Sequence, residues 1–358
     1  MKRALLAVAL AAGPLAAAAP DGPQGPPGTP VTIYVAVERP APIPATPAKL
    51  GPPSEITTYL VAPWRLETGL KGGDFEVLSD STPVNIAACV PAPRPVSIVL
   101  VVDVSASVSS AARSAWLRDS IDGPFVRAVG RGDRMAIGRV GGAGLLFSPG
   151  FSDDVRGFVA AARNILKPTE KDWARPFGVD GSPIWDAVDR AVDLLESTPD
   201  HRAVILLSDG RATANVHDFS DVTRRAVAGG ISISAVSSAQ DETIGQTATT
   251  AARVRSSVFL ERLASDTGGA YIEAFGPPGN PWLRSDKALD GWLRCTLARV
   301  VDETHGGYAL TFASPVDDGV MHALHVRVKR EGLKVRAPLG YRAAQSRPPE
   351  APAGRSSR

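Results

Sequence analysis

The sequence predicts an α/β fold, a doubly wound and mainly parallel sheet with a small β-module built from the N- and C-terminal segments. Three observations carry this. Two aliphatic, β-branched runs at residues 96–102 and 202–207 read as strands buried on both faces, as in a sheet covered by helices. Between and after them, strand-like runs alternate with amphipathic helical stretches, the pattern of βαβ units. The chain begins and ends instead with short alternating runs separated by Gly, Pro and Asp turns, the pattern of antiparallel β structure.

The chain has 358 residues, enough for one sizeable domain and a smaller one. With 44% hydrophobic and 21% charged residues it is of ordinary globular composition. The formal charge is +2, and Lys2 and Arg3 supply it, so the rest sums to about zero. That balance argues against nucleic acid and anionic membrane as partners. MKRALLAVALAAGPLAAAAP has a basic start, an apolar centre and a small-residue exit, which reads as a secretory signal over residues 1–19. The apolar run is too short and Ala-rich for a membrane span, so no stable membrane insertion is expected and the mature protein is placed in the periplasm or outside the cell. In that oxidising setting Cys89 and Cys295 could pair, the alternative being two separately buried thiols.

Taken in order, residues 20–30 form a flexible spacer and residues 31–94 an N-terminal β-module. That module has strands at 31–38, 55–62 and 74–88, with turns at Gly72-Gly73 and Asp80-Ser81. The α/β domain spans 95–302. Its first strand leads to a helix over 109–129 with apolar residues at Ala112, Trp116, Ile121, Phe125 and Val129, stopped by Gly130. A strand at 133–140 turns through Gly141-Gly142-Ala143-Gly144 into residues 145–148, most simply a hairpin. Ser152-Asp153 caps a helix to Leu166, and Pro183 at the first helical position opens another over 184–196. Helices follow at 218–228, 254–265 and 286–302, with strands at 231–236 and 270–274. Residues 303–342 supply β segments at 308–313, 321–330 and 334–341, expected to pack with the N-terminal strands. Residues 343–358 read as a disordered tail.

The candidate site lies where the first buried strand ends, in PVSIVLVVDVSASVS. Asp103, Ser105 and Ser107 alternate, so in extended backbone their oxygens point the same way, at the strand end where open α/β sheets bind ligands. Oxygen-only donors suit a hard divalent cation. Asp209 closes the second buried strand in ILLSDG. Two carboxylates facing one another in a poorly solvated crevice would repel unless a cation or a proton intervened. Asp and Ser also serve as N-caps and turn formers, and a vestigial site would look the same.

DVSAS resembles the metal-ion-dependent adhesion site of von Willebrand factor A domains, and the surrounding chain is similar to secreted bacterial proteins related to that family. The resemblance implies a Rossmann-like A domain whose metal positions fall on Asp103, Ser105, Ser107, Ser182 and Asp209. Ser182, in GSPIWDAV, stands where the family usually has Thr. It also implies a divalent cation, Mg²⁺ foremost with Mn²⁺ or Ca²⁺ as alternatives, and a protein partner that offers an Asp or Glu to it. The competing expectation is a structural or assembly component that uses no metal.

Other motifs compete weakly. Arg131-Gly132-Asp133 spells an integrin tripeptide, but it sits at a strand start and reads as structural. The glycines of GRVGGAG open no helix, so a dinucleotide fingerprint fails on context. His322 and His325 would point to opposite faces of one strand and make a poor metal pair. Ser182 and Ser208 carry hydroxyls, but His217 stands in no recognisable triad context, and no enzyme is expected.

Overall fold

The computed structural model of the protein describes residues 28–40, 64–105, 121–141, 144–167, 181–199, 201–237, 257–273 and 286–345. The expected signal peptide, most of the spacer, the strand at 55–62, the first half of the helix over 109–129 and the tail beyond 345 lie outside them.

In chain order the strands are β1 (Pro30–Pro40), β2 (Trp64–Leu66), β3 (Phe75–Ser79), β4 (Thr82–Val84), β5 (Ile86–Pro91), β6 (Val96–Asp103), β7 (Arg134–Gly141) and β8 (Gly144–Phe147). Helices α1 (Val155–Ile165) and α2 (Ile184–Glu196), strand β9 (His201–Ser208), α3 (Phe219–Ala228), β10 (Ile231–Ser237), α4 (Ser257–Thr267), β11 (Tyr271–Glu273) and α5 (Asp286–His305) follow. The chain then forms β12 (Tyr308–Ala313), β13 (Met321–Val328), β14 (Lys334–Arg336) and β15 (Gly340–Arg342).

Six strands form the central sheet in the order β11-β10-β9-β6-β7-β8, parallel except for the β7–β8 hairpin. All eight residues of β6 are buried because both faces are covered. Ile98, Leu100 and Val102 pack with Phe125, Phe158, Leu297 and Val300 on one side. Val99 and Val101 pack with Ile184, Val188, Val222 and Leu263 on the other. Each such side chain contributes about 1.5–3 kcal/mol relative to exposure, which is why the unbroken aliphatic run announces this strand. Gly138 faces Phe147 across the hairpin, and a Cβ there would lie 2.3 Å from its ring. One glycine of GRVGGAG thus makes room for an aromatic ring.

Helix boundaries follow local chemistry. Asp154, rather than Ser152-Asp153, caps α1 by accepting from the N–H groups of Arg156 and Gly157. Pro183 sits one place before α2, at its N-cap, and Asp218 caps α3 through the Asp221 N–H. α5 runs on to His305, beyond the expected end, because its last turns bury Val300 and Val301 under the sheet.

Both chain ends form a β-sandwich. One sheet is β14-β1-β12-β5 with β2 beside β1, and the other is β15-β13-β3-β4. They enclose Ile33, Val35, Phe75, Val77, Leu310, Phe312 and Leu324. Ala343, expected in the tail, is buried in this core, and Gln345 forms a β-bridge with Asp318. Asp80 and Ser81 take φ of 45° and 70° in the β3–β4 turn, a strained geometry for residues with a Cβ. Asp80 is pinned there by the Ala323 N–H and by His322. His322 is buried and held by Asp318 and Asp80, which raise its pKa, while His325 is exposed; the two do point to opposite faces.

Cys89 is a free, half-buried thiol packed against the sandwich core, and burial raises its pKa. The considered disulfide is therefore absent at Cys89. Cys89 packs with the sandwich core, and the side chain of Cys295 lies outside the described residues.

The sandwich and the α/β domain meet at the start of the central strands. Asp133 is buried and accepts from the Val96 N–H at 2.9 Å and the Gly130 N–H at 2.6 Å, with His305 Nε2 also 2.6 Å away. Burial pushes its pKa up, but these hydrogen bonds outweigh burial and hold it below the ordinary value. The RGD aspartate is thus a structural clasp and is not displayed. Nearby, Arg336 of β14 bridges Glu303 of α5 at 2.7 Å and Glu38 of β1 at 2.5 Å. His201 stacks on Tyr34 with ring centroids 3.9 Å apart, and neither of its nitrogens finds a hydrogen-bond partner.

Two expected outcomes follow from this seam. Replacing Asp133 by Ala strands two N–H groups and an imidazole, and urea unfolding should show a loss of about 3–5 kcal/mol. His201 is lowered to a pKa of about 4, first by burial and then by the positive charge of neighbouring His305 and Arg202. It stays neutral in the fold while the unfolded chain takes up a proton near 6.5. Its contribution is therefore complete above that pH and lost as pH falls towards 4. Between pH 6.5 and about 5 the loss should reach roughly 2 kcal/mol. Unfolding of His201→Phe across the same range should be less pH-dependent than wild type.

Candidate metal centre

β6 and β9 are parallel neighbours in register, with Val102 opposite Leu207. The next residues leave the sheet together, at the carboxyl ends of the two central strands. Asp103, Ser105 and Asp209 are all buried there. Asp103 Oδ1 accepts from the Ser105 N–H at 2.9 Å, and its Oδ2 accepts from the Ser208 hydroxyl at 2.7 Å. Ser208 Oγ in turn accepts from the Gly210 N–H at 3.0 Å, which folds the chain back just after Asp209. Asp209 accepts from the Arg211 N–H at 2.9 Å, with the Arg211 Nε at 3.7 Å.

The electrostatics match two carboxyls forced into one crevice. Burial raises the Asp103 pKa to about 6. Hydrogen bonds from Ser105 and Ser208 work against that rise, and the charge of Asp209 adds to it. The crevice therefore disfavours a second negative charge, and a cation there would relieve it.

Ser182 lies buried on the loop before α2, which is bonded to the loop that follows Asp209. Its N–H donates to Thr213 Oγ1 at 2.8 Å, and the Thr213 N–H donates to the Ser182 carbonyl at 2.9 Å. This reciprocal pair joins the second loop to the third. Gly181 permits it, since a Cβ there would lie 2.5 Å from Thr213 Oγ1 and 2.7 Å from Ala214 Cβ. Asn215 accepts from the Trp185 N–H at 2.7 Å, supplying the cap that Pro183 cannot provide for α2. Asp186 accepts from the N–H groups of Val216 and His217.

Four of the five expected metal positions, Asp103, Ser105, Ser182 and Asp209, thus lie buried on three loops that are bonded to one another; Ser107 lies outside the described residues. Their donors are two carboxylates and hydroxyls, a set that fits a hard cation. Among the described residues no group of three or more His, Cys, Asp or Glu is placed to hold a metal. Ser208, Thr213, Asn215 and Asp186 escaped the sequence reading as positioning residues. Only their short polar side chains near a strand end hinted at them. His217 Nδ1 lies 2.9 Å from Asp186 Oδ1, where it serves the loop.

The strand order, the helices on both faces and the D-x-S loop at the end of the central strand define the architecture. The fold is of the von Willebrand A type. No family model matches the sequence, and no curated protein matches it. Among solved structures, a von Willebrand factor type A protein from Catenulispora acidiphila is 12% identical, with a TM-score of 0.42 over 78% of this chain and 76% of that one. The manganese-loaded TRAP protein of Plasmodium vivax is 11% identical, with a TM-score of 0.40 over 75% of this chain and 98% of that one. The conserved hypothetical protein BatB from Bacteroides thetaiotaomicron is 16% identical, with a TM-score of 0.37 over 57% of this chain and all of that one, 100%. These likenesses are low in sequence and in superposition, and the assignment stands on strand order and motif position.

If the Gly181 contact organises the A-domain loops, Gly181→Ala should cost about 1–3 kcal/mol through overpacking. Urea unfolding measures this directly, and Gly150→Ala, at a position with open space around it, is the control.

Proposed function

We propose that the chain is an extracytoplasmic protein-binding module that works through a metal-ion-dependent adhesion site. Asp103, Ser105, Ser107, Ser182 and Asp209 would hold the cation, Mg²⁺ foremost and Mn²⁺ or Ca²⁺ otherwise. The observation that supports this reading is the burial of Asp103 and Asp209 at the ends of adjacent parallel strands, with the Ser208 and Ser105 hydroxyls bonded to Asp103. A cation held by few carboxylates keeps excess positive charge, which an acidic side chain of a partner can complete. The residues of this chain do the positioning. Ser208 and the Ser105 N–H orient the two oxygens of Asp103, and the Ser182–Thr213 pair sets the height of the second loop.

Export is part of the same proposal and rests on the N-terminal pattern of residues 1–19. No described helix is long and apolar enough to cross a membrane. We assign no catalytic step to this site.

One observation favours a second reading, a structural component that uses no metal. Ser208 and Ser105 already satisfy both oxygens of Asp103, so the loop has a bonded arrangement without a cation.

Calorimetric titration with Mg²⁺ and Mn²⁺ separates the readings. Wild type should bind, and Asp209→Ala and Asp103→Ala should each weaken binding by at least about tenfold, or 1.4 kcal/mol. In chelator Asp209→Ala should melt no lower than wild type, because one of two apposed carboxylates is gone. Equal titrations for all three proteins would remove the metal reading. Capture of partners from a cell envelope should be lost on chelation under the first reading and unchanged under the second.

A further inference from the structure

The proposed metal site lies at the carboxyl ends of the central strands. A cleft of about 280 Å³ opens at their amino ends, where the starts of β9 and β10 meet β1 and β15. Its charged lining residues are Arg202, half-buried at the start of β9, and Arg342, exposed at the end of β15. Among the described residues no acidic side chain lines the cleft, and neither guanidinium has a carboxylate or hydrogen-bonding partner. Elsewhere at this seam arginines are paired, as Arg336 is with Glu303 and Glu38. The charge of Arg202 reaches into the cleft wall, where it lowers the pKa of Tyr34 against the upward push of burial.

The position of Arg202 is defined by the turn before β10. Its Nη2 lies 3.7 Å from where a Cβ on Gly230 would be, and Gly230 has a φ of 62°, which keeps this turn bare of side chains. The remaining wall mixes apolar Val31, Val227 and Pro338 with the hydroxyl-bearing Thr32, Ser232 and Tyr34. A planar guanidinium presents paired donors that match a carboxylate. The volume is near the lower end of small-molecule sites.

We propose that this cleft binds a compact organic carboxylate, with its anionic head between Arg202 and Arg342 and its body on the apolar wall. Such a ligand would touch both the A domain and the sandwich and hold them together. The apolar wall separates this class from inorganic anions, which would leave it empty.

The test uses the full chain in chelator, which silences the metal centre. Benzoate, neutral benzamide and inorganic phosphate are compared by thermal unfolding and calorimetry. Benzoate at about ten times its Kd should raise Tm by roughly 3 °C. Arg202→Met and Arg342→Met, which keep the apolar stems, should each weaken benzoate at least about tenfold. Asp209→Ala should leave it unchanged, so this result is independent of the metal reading. The proposal is overturned by an equal shift from benzamide, by phosphate binding without benzoate binding, by undiminished affinity in the arginine variants, or by no benzoate effect at about 10 mM, well above a ~1 mM Kd.

Discussion

The parallel pairing of β6 with β9 is the constraint on which the rest depends. The two strands lie side by side in the middle of the sheet, in register from Val96 opposite His201 to Val102 opposite Leu207. Because they run the same way, they end at the same level, and Asp103 arrives beside Ser208 and Asp209. A slip of one residue would turn every side chain to the other face and carry Asp103 away from the crevice. The aliphatic content of both strands opposes such a slip, since each face is matched to its own set of helices. Burial of the core thereby brings Asp103 and Asp209 to the same end of the sheet.

The two ends of the sheet serve different purposes. At the carboxyl end, Asp103 and Asp209 lie buried, and the loops are tied to one another by hydrogen bonds. At the amino end, polar groups are mostly paired and structural. Asp133 joins the starts of β6 and β7 to the end of α5, and Arg336 joins α5 to the sandwich. Arg202 and Arg342, which have no partner among the described residues, stand apart from that pattern. The sandwich closes only because both chain ends reach it, with β1 pairing β12 and β3 pairing β13. The A domain is thus held at its base by strands from before and after it.

Resemblance and local pattern made the DVSAS loop, Ser182 and Asp209 legible. The RGD tripeptide shows why context outweighs a motif. Its position before a strand marked it as structural, and the buried Asp133 with its three bonding partners shows what it does. The possible Cys89–Cys295 pair shows the reverse, because cysteine number and compartment do not reveal that Cys89 packs with the sandwich core as a free thiol.

By itself the sequence determined what depends on near neighbours. Aliphatic runs specify buried strands, helical spacing specifies amphipathic helices, and a strand-ending Asp with alternating Ser specifies a cluster of oxygens. Asp218 likewise marks a helix start where it stands. Only the tertiary structure decided which distant polar groups meet. Ser208 bonds Asp103, Thr213 bonds Ser182, Asn215 caps α2, and Arg202 and Arg342 share a cleft. Those partners are set by strand register and by the packing of one module on another. Neither is encoded in the residues beside them along the chain.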